Sequence, residues 1–307
     1  MPLSYAELEE FYESLVARAR RRGIACAITS GMACVAFGVA EATKSCDLLC
    51  APDGAGAFLG LLEEASLRGH LPGYRGHLTP PLDARWLRGG WTSHFVWDAA
   101  DAQAYLDIFG VAPRGSSPWE VELLGCYAGL HTVAEMKRTN RGKDWPFVTA
   151  LGVKLLEAGD PRGWLHLFNY DVLMQTAEKL ACPPDIITLR PVLGLLPAGD
   201  DRLEVALKGE IEFWNQLDRL RMRVYEHAVR PYMLAVKRDR RSHDPALRTQ
   251  HLVRVEHAER LLPVNPLRQY GLERLIDQAR AQAVRFVPAG ALKWLPDVRG
   301  CFIGLSE

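Results

Sequence analysis

Two aspartates in apolar surroundings are the first residues with a chemical interpretation. Asp47 stands directly before two leucines, and Asp107 stands between Leu106 and Ile108 in the segment AYLDIFG. A carboxylate inside an apolar strand is costly unless a cation meets it. Magnesium takes oxygen ligands and is commonly held by one or two carboxylates together with phosphates. The two aspartates are therefore candidate ligands of a metal that carries a nucleoside triphosphate, and the alternative is that they are polar-face residues of half-buried strands.

A basic segment further along the chain supplies positive charge. The stretch VAEMKRTNRGKDW, residues 133–145, contains Lys137, Arg141, Lys143 and Asp144. Phosphoryl-type transfer needs positive charge to offset developing negative charge, and a lysine can reach a triphosphate as a point charge. Asp144 could orient Lys137 or act as a base on an acceptor hydroxyl. The alternative is a solvated basic helix end, which the helix dipole favours.

A turn of small residues precedes the first aspartate. Thr29, Ser30 and Gly31 interrupt an apolar run that carries no charge between residues 24 and 40. Such a turn at the start of a helix offers backbone N–H groups to a phosphate, so Ser30 and Gly31 are candidate phosphate-binding residues. An ordinary helix cap, which needs no ligand, is the alternative.

In this order, the turn, Asp47, Asp107 and the basic segment resemble the nucleotidyltransferase superfamily with the polymerase-beta-like fold. In that family a Gly-Gly or Gly-Ser turn opens a helix, and the next strand carries two acids one residue apart. A third acid lies on the strand beside them, so Asp47 matches the second acid and Asp107 the third. Nucleotidyltransferase-like toxins of the AbiEii type have a basic segment similar in order to Lys137, Arg141, Lys143 and Asp144. The resemblance covers residues 24–150, about half of the chain.

The resemblance implies transfer of a nucleotidyl group from a nucleoside triphosphate to an acceptor hydroxyl of RNA, protein or a small molecule, with Mg²⁺ held by Asp47 and Asp107. Family members usually read Thr-x-Asp-x-Asp at the first of these strands, whereas this chain has Thr43 and Ser45 before Asp47. Ser45 takes the place of the first acid, among the residues expected to bind the cofactor. Its neutrality keeps two alternatives open: a catalytically inactive relative that binds nucleotide, nucleic acid or a protein partner, and a nuclease or other phosphoesterase that uses one metal.

The elements that position these residues follow from sequence patterns. Ser4 is a predicted N-cap of an amphipathic helix over residues 4–22, and Asp53 is a predicted N-cap of a helix that ends at Leu67. The other predicted elements are strands over 24–28 and around Asp47, a helix from Ser30 or Gly31 to Phe37, a loop over 69–92, strands over 93–97 and 104–109 joined by an acidic turn over 98–101, a short strand over 121–124, and helices over 132–138 and after Asp144.

Together with the resemblance, these elements predict an α/β protein of the α+β kind. A nucleotidyltransferase-like mixed sheet flanked by helices is expected over residues 1–158, and a mainly helical domain over residues 159–307. The 37 basic and 37 acidic residues give no net charge, so no global field draws the chain to nucleic acid or membrane. Seven cysteines without a Cys-x-x-Cys pair suit a reducing cytoplasm, and the run over 24–40 is short for a membrane span.

Overall fold

The computed structural model describes residues 3–43, 45–99, 102–196 and 200–302. A seven-stranded mixed sheet is followed by a region made mostly of helices, so the predicted α/β class with a helical C-terminal region is confirmed. The strands are β1 (Cys26–Thr29), β2 (Ser45–Cys50), β3 (Gly73–Tyr74), β4 (Thr92–Ala99), β5 (Ala102–Phe109), β6 (Leu123–Leu124) and β7 (Tyr127–Ala128).

The order of strands in the sheet is β3-β4-β5-β2-β1-β7-β6. At its centre, β1 is antiparallel to β2, β2 is parallel to β5, and β5 is antiparallel to β4. The register places Asp47 opposite Asp107 and His94 opposite Asp107. In β2 the alternation buries Cys46 and Leu48 and leaves Ser45 and Asp47 half-buried on the other face. The middle of the sheet therefore collects polar side chains from three strands on one face.

The helices bound this sheet and build the C-terminal region. In chain order they are α1 (Tyr5–Arg21), α2 (Ser30–Ala36), α3 (Ala55–Leu62), α4 (Ala84–Arg88), α5 (Leu130–Met136), α6 (Trp145–Glu157), α7 (Tyr170–Ala177), α8 (Pro184–Leu189), α9 (Leu203–Arg238), α10 (Leu247–Leu261), α11 (Pro266–Tyr270) and α12 (Leu272–Ala283). Ser4 caps α1 with a full capping box to Glu7, as its sequence predicts. None of the helices in the described part of the chain combines the length and apolarity that crossing a bilayer requires.

The long helix α9 connects the helical region to the sheet region. Its Tyr225 hydroxyl donates to the Gly89 carbonyl at 2.8 Å, and its Tyr232 hydroxyl donates to the Thr79 carbonyl at 2.7 Å. Trp86 of α4 and Trp91, the residue before β4, belong to the same apolar cluster as α9. The domain boundary expected between residues 158 and 159 follows the end of α6 and stays a prediction.

Several local predictions are wrong in position. Asp53 does not cap a helix, because residues Pro52–Gly54 form a 3₁₀ turn and its side chain is 88% exposed beside Arg88. The helix that follows, α3, ends at Leu62 rather than Leu67. The expected loop over 69–92 contains β3 and α4, and the expected strand over 121–124 is a 3₁₀ turn with the two-residue β6.

The predicted helix over 132–138 and the predicted turn over 98–101 correspond only in part to the structure. The helix expected over 132–138 is α5, which ends at Met136, where the Arg114 guanidinium donates to the Met136 carbonyl. Lys137 is consequently the C-cap residue of α5 and does not lie within the helix. Of the turn expected over 98–101, Asp98 lies in β4, while residues 100 and 101 lie outside the described residues, as does Lys44 before β2.

Gly89 is expected to be among the least replaceable glycines. A Cβ atom there would overlap the Val264 carbonyl oxygen and approach the carbonyl carbon to 2.6 Å, and backbone atoms cannot rotate away. We expect Gly89→Ala to cost about 3 kcal/mol or more, whereas Gly60→Ala inside α3, with nothing within 4 Å, should stabilise by about 0.5–1 kcal/mol. Urea denaturation of both variants measures this, and equal effects would contradict the close approach.

Candidate active site

Two carboxylates lie side by side at the centre of the sheet. Asp47 of β2 and Asp107 of β5 are register partners on parallel strands, which run about 4.8 Å apart. Residues paired in this way project to the same face, and both side chains are half-buried there. Sequence reasoning expected these two residues to meet on neighbouring strands, and the structure brings them together.

Asp47 is in an environment that resists its negative charge. Burial, and after it the nearby charge of Asp107, raise the pKa of Asp47 to about 6. A hydrogen bond from Ser30 and the charges of Lys137 and Arg141 act against this rise without cancelling it. The surroundings of Asp47 therefore supply less positive charge than its ionised carboxylate requires.

Asp107 is held differently, by two side chains that the sequence did not single out. Arg75 Nη2 and His94 Nδ1 each lie 2.8 Å from Asp107 Oδ1. A carboxylate accepts, so the proton of a neutral His94 is assigned to Nδ1, although Arg75 Nη2 also lies 3.1 Å from that nitrogen. Within the described residues, Asp107 Oδ2 receives no hydrogen bond and keeps its lone pairs available.

A polar cleft of about 370 Å³ opens beside Asp47. Its wall contains three cations, two carboxylates, one aromatic ring and several small residues, among them Ser30, Gly31, Cys34, Thr43, Ser45, Asp47, Lys137, Arg141, Lys143, Asp144 and Phe147. The structure thus gathers eight of the nine predicted site residues around one cleft. Asp107 is the ninth, and it lies on the sheet beside Asp47 without forming part of the cleft wall.

The basic segment is organised around a buried carboxylate. Asp144 is 1% exposed, and its Oδ2 accepts from the Thr139 hydroxyl at 2.5 Å and from Arg141 Nε at 2.7 Å. Lys137 Nζ lies 3.6 Å from Asp144 Oδ1 and 5.7 Å from the centre of the Phe147 ring. Because Asp144 already engages two cations and a hydroxyl, its geometry favours orienting Lys137 over abstracting a proton.

The turn before α2 has an unusual backbone. Ser30 has a φ of 55°, in the left-handed region that glycine tolerates best. A Cβ on Gly31 would lie 2.5 Å from Thr43 Oγ1, so the absence of a side chain lets the segment before β2 pack against α2. The turn therefore brings Ser30 to Asp47 and brings the chain around Thr43 to the same cleft.

We expect the strain at Ser30 to be measurable. Ser30→Ala and Ser30→Gly both remove the hydroxyl that bonds Asp47, but only glycine relaxes the left-handed conformation. Ser30→Gly should therefore be more stable than Ser30→Ala by about 1 kcal/mol, judged from the penalty of a Cβ at positive φ. Chemical denaturation of the pair tests this, and an alanine variant as stable as the glycine variant would speak against strain.

Sequence reasoning missed a buried clamp that fixes the basic segment. Asp218 of α9 accepts from Arg114 Nη1 at 2.5 Å and from the Asn140 backbone N–H at 3.0 Å. Arg114 also donates to the Met136 carbonyl, so the clamp contacts the chain on both sides of Lys137. Burial alone would raise the pKa of Asp218, but the charges of Arg114 and Arg221 and the Asn140 N–H bond lower it. No local pattern marks these residues, which are 104 positions apart.

A larger groove of about 480 Å³ adjoins the first turn of α6, but it is lined mainly by apolar groups such as Trp145, Pro146 and Phe168. Across the described ranges, no three His, Cys, Asp or Glu side chains form a group able to enclose a metal ion. The ionisable side chains with predicted roles lie at the polar cleft and the adjoining sheet face, away from this groove.

The chain was compared with protein-family models, with curated proteins and with solved structures. No protein-family model, no curated protein and no solved structure matches this chain.

Proposed function

We propose that this protein transfers a nucleotidyl group from a nucleoside triphosphate to an acceptor hydroxyl. The observation that carries the proposal is the register pairing of Asp47 with Asp107 beside a cleft that also contains Lys137. Two adjacent carboxylates and a basic phosphate-binding wall are the parts that such a transfer needs from a protein.

The carboxylates fit one magnesium ion. Asp47 is under-compensated, with its pKa raised to about 6, and Asp107 Oδ2 accepts no hydrogen bond from the described residues. One or two carboxylates are what Mg²⁺ commonly takes from a protein when phosphates supply other ligands. Asp47 and Asp107 would hold the ion, and when bound it would neutralise charge on the triphosphate and polarise the reacting phosphoryl group.

The wall of the cleft suits the phosphates. Lys137, Arg141 and Lys143 supply three positive charges, and Asp144 holds the first two in place. Lys137 is 7% exposed, so its charge acts through less water than that of a surface lysine. Ser30 and Gly31 form a small-residue part of the same wall, where a phosphate can approach the backbone closely.

In the proposed reaction, an acceptor hydroxyl oxygen forms a bond to the α-phosphorus. The bond from that phosphorus to the oxygen bridging to the β-phosphate breaks, pyrophosphate leaves, and the hydroxyl proton passes to solvent. Lys137 and its neighbours stabilise the negative charge that moves onto pyrophosphate. The fold that we propose is the nucleotidyltransferase fold, supported by the helix α2 between antiparallel β1 and β2 and by β5 parallel to β2.

Ser45 supports a second candidate, a relative that binds nucleotide without transferring it. It lies on the same face as Asp47, two residues earlier on β2, and it brings no charge to the site. A site with one carboxylate fewer binds a divalent cation less strongly. Ser45→Asp is expected to tighten metal binding in either case, and a gain of activity from none would identify a decayed transferase.

Label transfer tests the proposal. The protein is incubated with Mg²⁺ and a nucleoside triphosphate labelled at the α or the γ position, together with candidate RNA, protein and small hydroxylated acceptors. Transfer of the α label to an acceptor, with release of the γ label in pyrophosphate, is the expected result. Transfer of the γ label, or release of the α label as free nucleotide without an acceptor product, would point to another phosphoryl chemistry.

A further inference from the structure

The two central carboxylates are unequally compensated. Asp107 Oδ1 forms an ion pair with Arg75 at 2.8 Å and a hydrogen bond with His94. Asp47 has a hydrogen bond from Ser30, and the cations that act on it, Lys137 and Arg141, do so through their charge. Asp107 is thus bonded to a cation of the protein, while Asp47 remains available to a bound metal ion.

The count of charges on this face then limits the metals it can hold. Ser45 is neutral, Asp47 and Asp107 are negative, and Arg75 is positive, so the four side chains carry a net charge of minus one. We propose that Arg75 binds phosphate and supplies the positive charge that a second metal ion would otherwise provide. The site would then work with one divalent ion. This inference rests on the proposed nucleotidyl transfer and names how that same site binds its triphosphate.

Arg75 is positioned and held for this role. Its backbone N–H donates to the His94 carbonyl at 2.9 Å, which continues the pairing of β3 with β4. Its guanidinium lies 5.2 Å from the centre of the Tyr105 ring, so the side chain is fixed between an aromatic face and a carboxylate. A guanidinium remains charged at every physiological pH and is a preferred group for binding phosphate.

The guanidinium also has donors to spare. Nη2 makes the contacts with Asp107 and His94, while Nε and Nη1 form no hydrogen bond within the described ranges. The Arg75 side chain as a whole is 37% exposed, so it is not sealed from solvent.

The presence of Arg75 gives a physical reason for Ser45. A second metal would need further carboxylate oxygen on this face, and the position that could provide it on β2 is a serine. Because the Arg75 guanidinium is already fixed beside Asp107, an additional acid on this face would have to compete with Asp107 for that guanidinium. The neutral residue at 45 and the paired residue at 107 are thus two parts of one arrangement.

Manganese binding followed by electron paramagnetic resonance tests this inference. Mn²⁺ replaces Mg²⁺ as the probe, and a non-hydrolysable triphosphate analogue is present at saturation. We expect one Mn²⁺ per wild-type chain. In Arg75→Gln the dissociation constant of the analogue at saturating Mn²⁺ should rise about tenfold or more, as for the loss of a charged hydrogen bond, while Arg75→Lys should retain much of the affinity.

Controls separate this inference from the proposed function. Arg88→Gln removes an exposed arginine paired with Asp53 and should leave both Mn²⁺ count and analogue affinity unchanged. Two Mn²⁺ ions per wild-type chain, or an affinity of Arg75→Gln for the analogue within twofold of wild type, would overturn the role of Arg75 and leave the proposed function standing. Failure of the wild type to bind the analogue with Mn²⁺, or binding unchanged in Asp47→Asn, would overturn the proposed function as well. The number of Mn²⁺ ions bound per wild-type chain tests the inference even if Arg75→Gln fails to fold.

Discussion

Asp47→Asn is expected to make the ligand-free protein more stable at pH 7, by about 1–3 kcal/mol, and to remove magnesium-dependent nucleotide binding. Burial and the charge of Asp107 raise the pKa of Asp47 from 3.8 to about 6 in the folded protein. Asparagine keeps the size of the side chain and an oxygen that accepts from Ser30, but it carries no charge. The variant therefore loses the electrostatic cost and the metal ligand together.

The effect on stability should depend on pH in a defined direction. Between about pH 4 and pH 6 the folded protein holds a proton on Asp47 that the unfolded chain has released. The stability of the wild type falls as pH rises through that window and gains nothing back above it. The advantage of Asp47→Asn should therefore be complete above about pH 6 and vanish below about pH 4.

Urea denaturation at pH 4 and pH 7 measures this advantage. Asp53→Asn, at an 88% exposed carboxylate, is the matched control and should shift stability by less than about 1 kcal/mol at both pH values. Thermal shifts with Mg²⁺ and a triphosphate measure binding. An Asp47→Asn protein that is less stable at pH 7, or that keeps the full nucleotide-induced shift, would contradict the assignment of Asp47.

Asp218→Ala is expected to cost about 3–5 kcal/mol, the range seen when one partner of a buried ion pair is removed. Arg114 is 5% exposed and would be left without its carboxylate, and the Asn140 N–H would lose its acceptor. Asp218 lies in α9 and links that helix to the segment that carries Lys137 through the Asn140 N–H. We therefore expect nucleotide affinity to fall along with stability, although Asp218 does not line the cleft.

A double replacement separates these two consequences. Arg114→Met combined with Asp218→Leu removes both charges, and buried pairs exchanged for apolar residues often recover stability. Denaturation should show most of the loss restored, while nucleotide affinity stays about tenfold below wild type because Met136 and Asn140 are no longer held. Recovery of both properties would mean that the clamp stabilises the fold without positioning Lys137.

The parts of the site that sequence patterns reached are those governed by local rules. Alternation of buried and half-buried residues places Asp47 and Asp107 on strands, and Ser30 begins a helix because small residues follow β1. The side-chain cluster of the basic segment was also readable, since Lys137, Arg141 and Asp144 lie within one short stretch. Local spacing is enough where the interacting residues are neighbours in the chain.

The remaining features depend on distant parts of the chain. Arg75 comes from a segment whose glycines and prolines predict a loop, and it reaches Asp107 because β3 pairs at the edge of β4. Asp218 reaches the basic segment because α9 packs against the chain around Thr79 and Gly89, a long-range contact that no periodicity in α9 reveals. Asp53 misled because a proline before it and a glycine after it close a 3₁₀ turn in place of a cap.

Anomalous diffraction from crystals of the protein with Mn²⁺ and a non-hydrolysable triphosphate analogue tests the central claim most directly. We expect a metal peak at about 2.0–2.2 Å from carboxylate oxygens of Asp47 and Asp107, with the analogue's phosphates beside Lys137 in the polar cleft. A nucleotide in the apolar groove at Trp145, or a metal bound away from both aspartates, would contradict it.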